Sequence, residues 1–255
     1  MVAAARALLA GARCVLFDFD GPLCRLFPGD SSRQVADALR AIVLAAEVPE
    51  LLSEDERDSK DPHLVLRAMH RARWGAELDA LGVKDGDLQD LVVRLERRLT
   101  EGEMAAASTA PPPPADTQEF VRGLAGRGVR LAVVTNNAPQ VADRYLRLHG
   151  LRECFAFIHG RTTDPDLMKP HPDVLRRALR DLCLSPKDAV MFGDTDADVV
   201  AARRMGVRFI GYDMDPSRSA GAEVVVEAYA PLLGVMGERD AHGPGTRVGS
   251  EAARR

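Results

Sequence analysis

The chain has 255 residues, 46% of them apolar and 28% charged, with a formal net charge of −4. That is long enough for one large domain or a core with an insert, and apolar enough for a sizeable interior. The mild acidity and scattered basic residues leave no broad nucleic-acid surface, and no apolar run is long enough to cross a bilayer.

Four cysteines, at 14, 24, 154 and 183, have no CxxC spacing. They make no disulfide framework and fit a reducing, cytoplasmic setting. The six histidines show no metal-ligand spacing, so no structural zinc site is expected. The N-terminal stretch is interrupted by Arg6 and Arg13 and runs straight into an apolar segment. It reads as a short helix or frayed end before the first strand, not as a secretory signal.

Residues 13–19 form a continuous apolar run, as in the middle of a parallel sheet. The next block is helical. Val35, Leu39, Ile42, Val43 and Ala46 recur at helical spacing behind Ser31 and Ser32, which are placed to cap. A second helix is expected after Asp61-Pro62, with Val65, Met69, Ala72 and Ala76 on one face. A third carries Leu88, Leu91, Val92, Leu95 and Leu99. Pro111 to Pro114 then enforce a stiff extended connector. Residues 25–111 are therefore expected to be an inserted all-helical unit with a Pro-rich return linker.

Downstream the pattern alternates. Helices are expected near 116–127, after Pro139, at 172–183 and up to Met205. Strands are expected at 129–134, 155–160, 189–192 and 207–211, with an edge strand at 224–226. Strand-helix alternation predicts an α/β core with a parallel sheet, built from residues 1–24 and 112–236. Residues 237–255 are expected to be a disordered tail.

Ligands of such sheets bind beyond the carboxyl ends of the strands. Four polar clusters fall there: Asp18-Phe19-Asp20, Thr135-Asn136, Met168-Lys169-Pro170 and Gly193 to Asp198. Asp18, Asp20, Asp194 and Asp198 concentrate negative charge, and their repulsion would raise their pKa values unless a cation intervened. Oxygen-only ligands favour Mg²⁺. Lys169 and the Thr135 hydroxyl suit a phosphate. A carboxylate can be a nucleophile, and a second one can protonate a leaving oxygen.

Each residue also has a plainer reading. Asp18 and Asp20 could form a solvated turn, and Asp194, Asp196 and Asp198 could simply favour a helix N-terminus. Lys169 could be a surface lysine and Thr135 a helix cap, with Asn137 structural. Cys24 reads as a packed residue, and Met69 and Trp74 as packing on the helical insert. Arg25, Lys60, Arg67, Arg71 and Arg73 read mostly as a solvated face. The convergence of four clusters favours chemistry at the first group.

In order, DFDGPL, VVTNN, LMKPHPDVL and FGDTDADVVAA resemble the motifs of the haloacid dehalogenase superfamily over roughly residues 13–230. The resemblance, closest to its phosphoglycolate-phosphatase-like members, implies a Rossmann-like three-layer core with a small α-helical cap. It implies Asp18 as the nucleophile that becomes an aspartyl phosphate and Asp20 as general acid and base. Thr135 and Asn136 would hold the phosphoryl group, and Lys169 would orient Asp18. Mg²⁺ would sit on Asp18, the Asp20 carbonyl and Asp194, with Asp198 binding directly or through water. The implied activity is hydrolysis of a small phosphorylated metabolite. The alternatives are phosphoglucomutase-like transfer, 2-haloacid dehalogenation, a phospho-accepting signalling module and a non-catalytic scaffold. Pro22 and Cys24 depart from the family pattern, and Pro22 removes an N–H from the nucleophile loop.

Overall fold

The computed structural model describes residues 1–74, 84–215, 217 and 219–236. Six strands form one parallel sheet in the order β3-β2-β1-β4-β5-β6. They are β1 (Cys14–Phe17), β2 (Arg130–Val134), β3 (Phe157–His159), β4 (Ala189–Gly193), β5 (Arg208–Tyr212) and β6 (Val224–Val226). The expected α/β core is present, including the edge strand at Val224. From β1 the chain builds outward through β2 and β3, then returns to β1's other side with β4. The β1/β4 boundary is thus a switch point, where open parallel sheets bind ligands.

Both faces of the sheet are covered. Along β1, Val15 and Phe17 face one layer and Cys14 and Leu16 the other, as strand alternation requires. The first layer receives α1 (Val2–Ala10), α6 (Ala115–Gly126) and α7 (Pro139–Leu148), and its centre is aromatic. Phe17 stacks on Phe192 at 5.4 Å, and Phe120 stacks on Tyr229 at 4.5 Å. The second layer receives α8 (Asp173–Asp181) and α9 (Asp196–Met205). All of β1 is buried, which explains its unbroken apolar run.

Between β1 and β2 lie α2 (Ser31–Ala45), α3 (Glu54–Asp58), α4 (Pro62–Ala72) and α5 (Asp85–Thr109). They enclose a separate apolar core that includes Val35, Leu39, Val65, Met69, Leu88, Leu95 and Leu99. Two details differ from expectation. Asp30 takes the position before α2 without a side-chain cap, while the Ser31 hydroxyl donates to the Pro28 carbonyl. Trp74 is 73% exposed, with the Arg73 guanidinium over its ring, so it does not pack. The expected positions Ala76 and 237–255 lie outside the described residues.

Helix α5 belongs to both units. Leu88, Leu91, Leu95 and Leu99 join the insert core, while Ala107 near the end of the helix joins the aromatic layer of the sheet. The Tyr145 hydroxyl donates to the Pro111 carbonyl at 2.7 Å and fixes the start of the return segment.

Leu95 is fully buried in the insert core. Leu95→Ala is expected to destabilise the protein by about 2–5 kcal/mol, read by urea unfolding. A change within about 0.5 kcal/mol, the usual range for surface sites, would show that this core is not tightly packed.

Candidate active site

The register of the sheet assembles the site. Phe17 pairs with Val133 on one side and with Phe192 on the other. The residues just beyond are therefore neighbours: Asp18 after β1, Thr135 after β2 and Asp194 after β4. Asp18, Asp20, Thr135, Asn136, Lys169 and Asp194 line one cavity of about 640 Å³. Lys60, Asp61, Pro62 and His63 from the helical insert line it too. Asp198 lies just behind, fully buried.

Lys169 is the electrostatic centre. Its Nζ lies 2.8 Å from Asp18 Oδ1 and 2.6 Å from Asp198 Oδ1, and it donates to the Val134 carbonyl. Asp198 is held from its other side by the Thr195 N–H and hydroxyl, at 3.1 and 2.6 Å, in a capping box at the start of α9. The loop carrying Lys169 is locked to the loop after β2. Lys169 N–H donates to Asn136 Oδ1, and Asn136 Nδ2 donates to the Lys169 carbonyl.

Asp194 contrasts with these. Its Oδ1 is buried and makes no hydrogen bond. Burial first, then the charges of Asp18, Asp198 and Asp20, push its carboxyl up to about 9. Burial and Asp198 push Asp18 up to about 7 against the pull of Lys169. One lysine neutralises one carboxylate of this group, and a further negative charge there is unfavourable without a cation. One oxygen each from Asp18, Asp194 and Asp198 lies within 4.8 Å of the others, a donor set of oxygens alone. This all-oxygen set fits Mg²⁺.

Two glycines permit the close approach. Gly21 has φ +96°, and a Cβ there would come within 2.4 Å of the Asp194 carboxylate. At Gly193 a Cβ would meet the Asp198 side chain at 2.6 Å. The loop after β1 closes on itself. Gly21 N–H donates to the Cys24 carbonyl, and the amides of Leu23 and Cys24 donate to Phe19. The Pro22 carbonyl accepts from Tyr229 Oη. Asp20 Oδ1 accepts the Leu26 N–H, and burial raises its carboxyl. Cys24 is buried and its thiol is pushed up by burial, so it is a packed residue.

A buried ionic network behind Thr135 was not anticipated. Glu103 of α5 is fully buried and accepts from Asn137 Nδ2 and Ala138 N–H, both at 3.0 Å. It also pairs with Arg161 at 2.8 Å and with His63 Nε2 at 3.2 Å. Arg161 in turn donates to the Asn136 carbonyl and to Thr100, and pairs with Glu96. Asn137 Oδ1 accepts the Thr135 hydroxyl proton. Glu96, Thr100 and Glu103 fall at i, i+4 and i+7 and so share one face, on a helix that carries many other polar residues. No comparable pattern marks Arg161.

Burial would raise the Glu103 carboxyl, but Arg161 and His63 outweigh it and hold it at about 2. Burial would lower His63, yet Asp61 and Glu103 raise it to about 9. His63 is therefore a cation at neutral pH on the wall of the cavity.

Acids, a lysine and a threonine thus converge at the carboxyl edge of a parallel α/β sheet, where such sheets bind ligands. Residues 12–206 match the haloacid dehalogenase-like hydrolase family, and the chain belongs to that family. It is 30% identical over 233 residues to a phosphoglycolate phosphatase of Rhodospirillum rubrum, covering 86% of this chain and 89% of that one. It is also 30% identical over 124 residues to the pyrophosphatase PpaX of Halalkalibacterium halodurans, a match to 47% of this chain and 57% of that protein. Its fold is similar to CbbY of Rhodobacter sphaeroides in complex with phosphate, with TM-score 0.60, 22% identity and coverage of 87% and 96%. A predicted phosphoglycolate phosphatase of Haemophilus somnus gives TM-score 0.57, 19% identity and coverage of 88% and 98%.

The raised His63 value fixes a sign. Protonation favours the folded state, so its contribution is full below its ordinary value of 6.5 and is lost as pH rises through about 9. The stability gap between wild type and His63→Gln, read by urea midpoints, is expected to shrink between pH 6.5 and 9. A gap independent of pH over that range would contradict the assignment.

Proposed function

We propose that the chain is a Mg²⁺-dependent phosphatase that hydrolyses a small phosphorylated metabolite through an aspartyl phosphate on Asp18. The observation that carries this reading is the acidic cluster itself. Asp18 is paired with Lys169, while Asp194 presents a buried oxygen with no partner beside it. Mg²⁺ held by Asp18, Asp194 and the Asp20 carbonyl would neutralise that charge and polarise a phosphoryl oxygen. Asp198, already bonded to Lys169 and Thr195, fixes Lys169 and would reach the ion directly or through water.

The chain's own groups supply the rest. An Asp18 oxygen attacks phosphorus, and the bond from phosphorus to the ester oxygen breaks. Asp20 gives its proton to that departing oxygen. Asp20 then takes a proton from water as the water attacks phosphorus, and the Asp18–phosphorus bond breaks to release phosphate. Lys169 orients Asp18 and offsets phosphoryl charge. Thr135 and the Asn136 amide hold the phosphoryl oxygens, fixed by the Glu103–Arg161 network.

The phosphatase name of the relative in Rhodospirillum rubrum supports phosphate esters as substrates. The cavity of about 640 Å³ suits a small molecule. Asp20 together with Asp194 favours phosphoryl chemistry over dehalogenation, which needs neither leaving-group protonation nor a metal. A small sugar phosphate or phosphoglycolate-like ester is the substrate class proposed.

The test is a panel of phosphate esters, with and without Mg²⁺. Wild type is expected to release phosphate only with Mg²⁺, and Asp18→Asn to release none. Asp20→Asn is expected to lose about 10²–10⁴-fold in kcat. Absence of Mg²⁺-dependent release from every ester, including an activated aryl phosphate, would sink the proposal. Metal-free turnover of 2-haloacids would replace it.

A further inference from the structure

We propose that His70, Asp164 and Asp166 form a second divalent-metal site, for a zinc-class ion, that braces the helical insert against the sheet domain. His70 lies on α4 in the insert. Asp164 and Asp166 lie on the segment between β3 and Lys169, around the turn Pro165–Leu167. The spacing of these residues gave no hint of a cluster; the packing of α4 on that turn creates it.

One ligand atom from each of the three residues lies within 4.8 Å of the others. His70 is only 8% exposed, yet its Nδ1 is buried and makes no hydrogen bond. That nitrogen faces Asp166 Oδ2 at 3.3 Å, and Nε2 lies 3.9 Å from Asp164 Oδ1. A buried imidazole nitrogen without a hydrogen bond is costly, and Nδ1 has the Asp166 carboxylate in front of it, while the Asp164 carboxylate is nearer Nε2. In a tetrahedral zinc site with bonds of about 2.1 Å, neighbouring ligand atoms stand about 3.4 Å apart. The His70–Asp166 separation already matches that edge. Asp164 Oδ1 accepts the Asp166 N–H, and its Oδ2 makes no hydrogen bond among the described residues.

The donor chemistry separates this site from the cavity. One imidazole nitrogen and two carboxylates suit Zn²⁺, Co²⁺ or Mn²⁺, whereas Mg²⁺ prefers oxygen alone. Three protein ligands leave a coordination position for water. Asp164 and Asp166 are about half-exposed, so an ion can enter from solvent. The brace would act on two working parts. Helix α4 begins beside His63 on the cavity wall, and the Asp164–Asp166 turn leads into Lys169. The inference stands independently of the catalytic proposal.

The test uses the full chain in excess Mg²⁺, which satisfies the all-oxygen cluster. Zn²⁺ is titrated by calorimetry and by thermal unfolding, and Zn²⁺-induced shifts of the His70 imidazole resonances are followed by NMR. One equivalent is expected to bind, to raise Tm and to shift His70. Asp18→Asn/Asp194→Asn should bind it equally well. Loss of even an outer-shell partner weakens metal sites about 10–100-fold, so His70→Gln should weaken binding about 100-fold or more, and Asp166→Asn should weaken it as well. The proposal is overturned by any of three results. These are no saturable binding in Mg²⁺, His70 resonances that Zn²⁺ leaves unshifted, or binding lost in Asp18→Asn/Asp194→Asn. The NMR readout on the unsubstituted protein decides the matter even if a variant fails to fold.

Discussion

Lys169 is a buried ammonium held between two carboxylates, and the rest of the site is organised around keeping it paired. A buried charge without partners would cost several kcal/mol. Asp18 and Asp198 supply those partners, and each is constrained in turn: Asp18 by the sheet register, Asp198 by the capping box with Thr195. Mutual attraction raises the Lys169 pKa against the effect of burial. One ammonium offsets only one of the three carboxylates gathered there. Asp194 Oδ1 is buried without a hydrogen bond, and like charges beside it disfavour its ionised form.

The Glu103–Arg161 pair has the same logic at larger scale. Two charges are taken fully out of water, and both are surrounded by donors and acceptors from other elements. Such a pair adds little net stability compared with an apolar replacement, but breaking it is costly. Its effect is geometric. It joins the last third of α5 to the backbone of Asn136 and Ala138. The helix that carries the insert core therefore also fixes the loop after β2. Any movement that carries this part of α5 away from the loop after β2 would have to break these buried contacts.

Much of this was legible in the chain. The core strand at 14–17, the helical faces through Leu39 and Leu95, and the polar clusters after the strands all follow from periodicity and from where parallel sheets bind ligands. The exposure of Trp74 and the capping around Ser31 depend on neighbours that composition does not reveal. Arg161 and His70 were invisible for a deeper reason. Each finds its partners only through packing between units far apart in sequence, and a lone arginine or histidine has no periodic signature. Glu103 was an intermediate case, since its stripe with Glu96 and Thr100 could be read but not its destination.

Pro22 is the clearest departure from the family pattern in the loop after β1, and the loop's own hydrogen bonds explain why it is tolerated. The amides that close the turn are those of Gly21, Leu23 and Cys24. The missing donor at Pro22 falls between them, and its carbonyl is used by Tyr229. Tyr229 also belongs to the aromatic layer with Phe17 and Phe120. The loop is therefore pinned from the sheet side by a residue late in the chain, while Gly21 opens the space that Asp194 occupies. A rigid proline next to a glycine with positive φ holds the turn in one shape, and that shape keeps Asp18 and Asp20 on the same cavity wall.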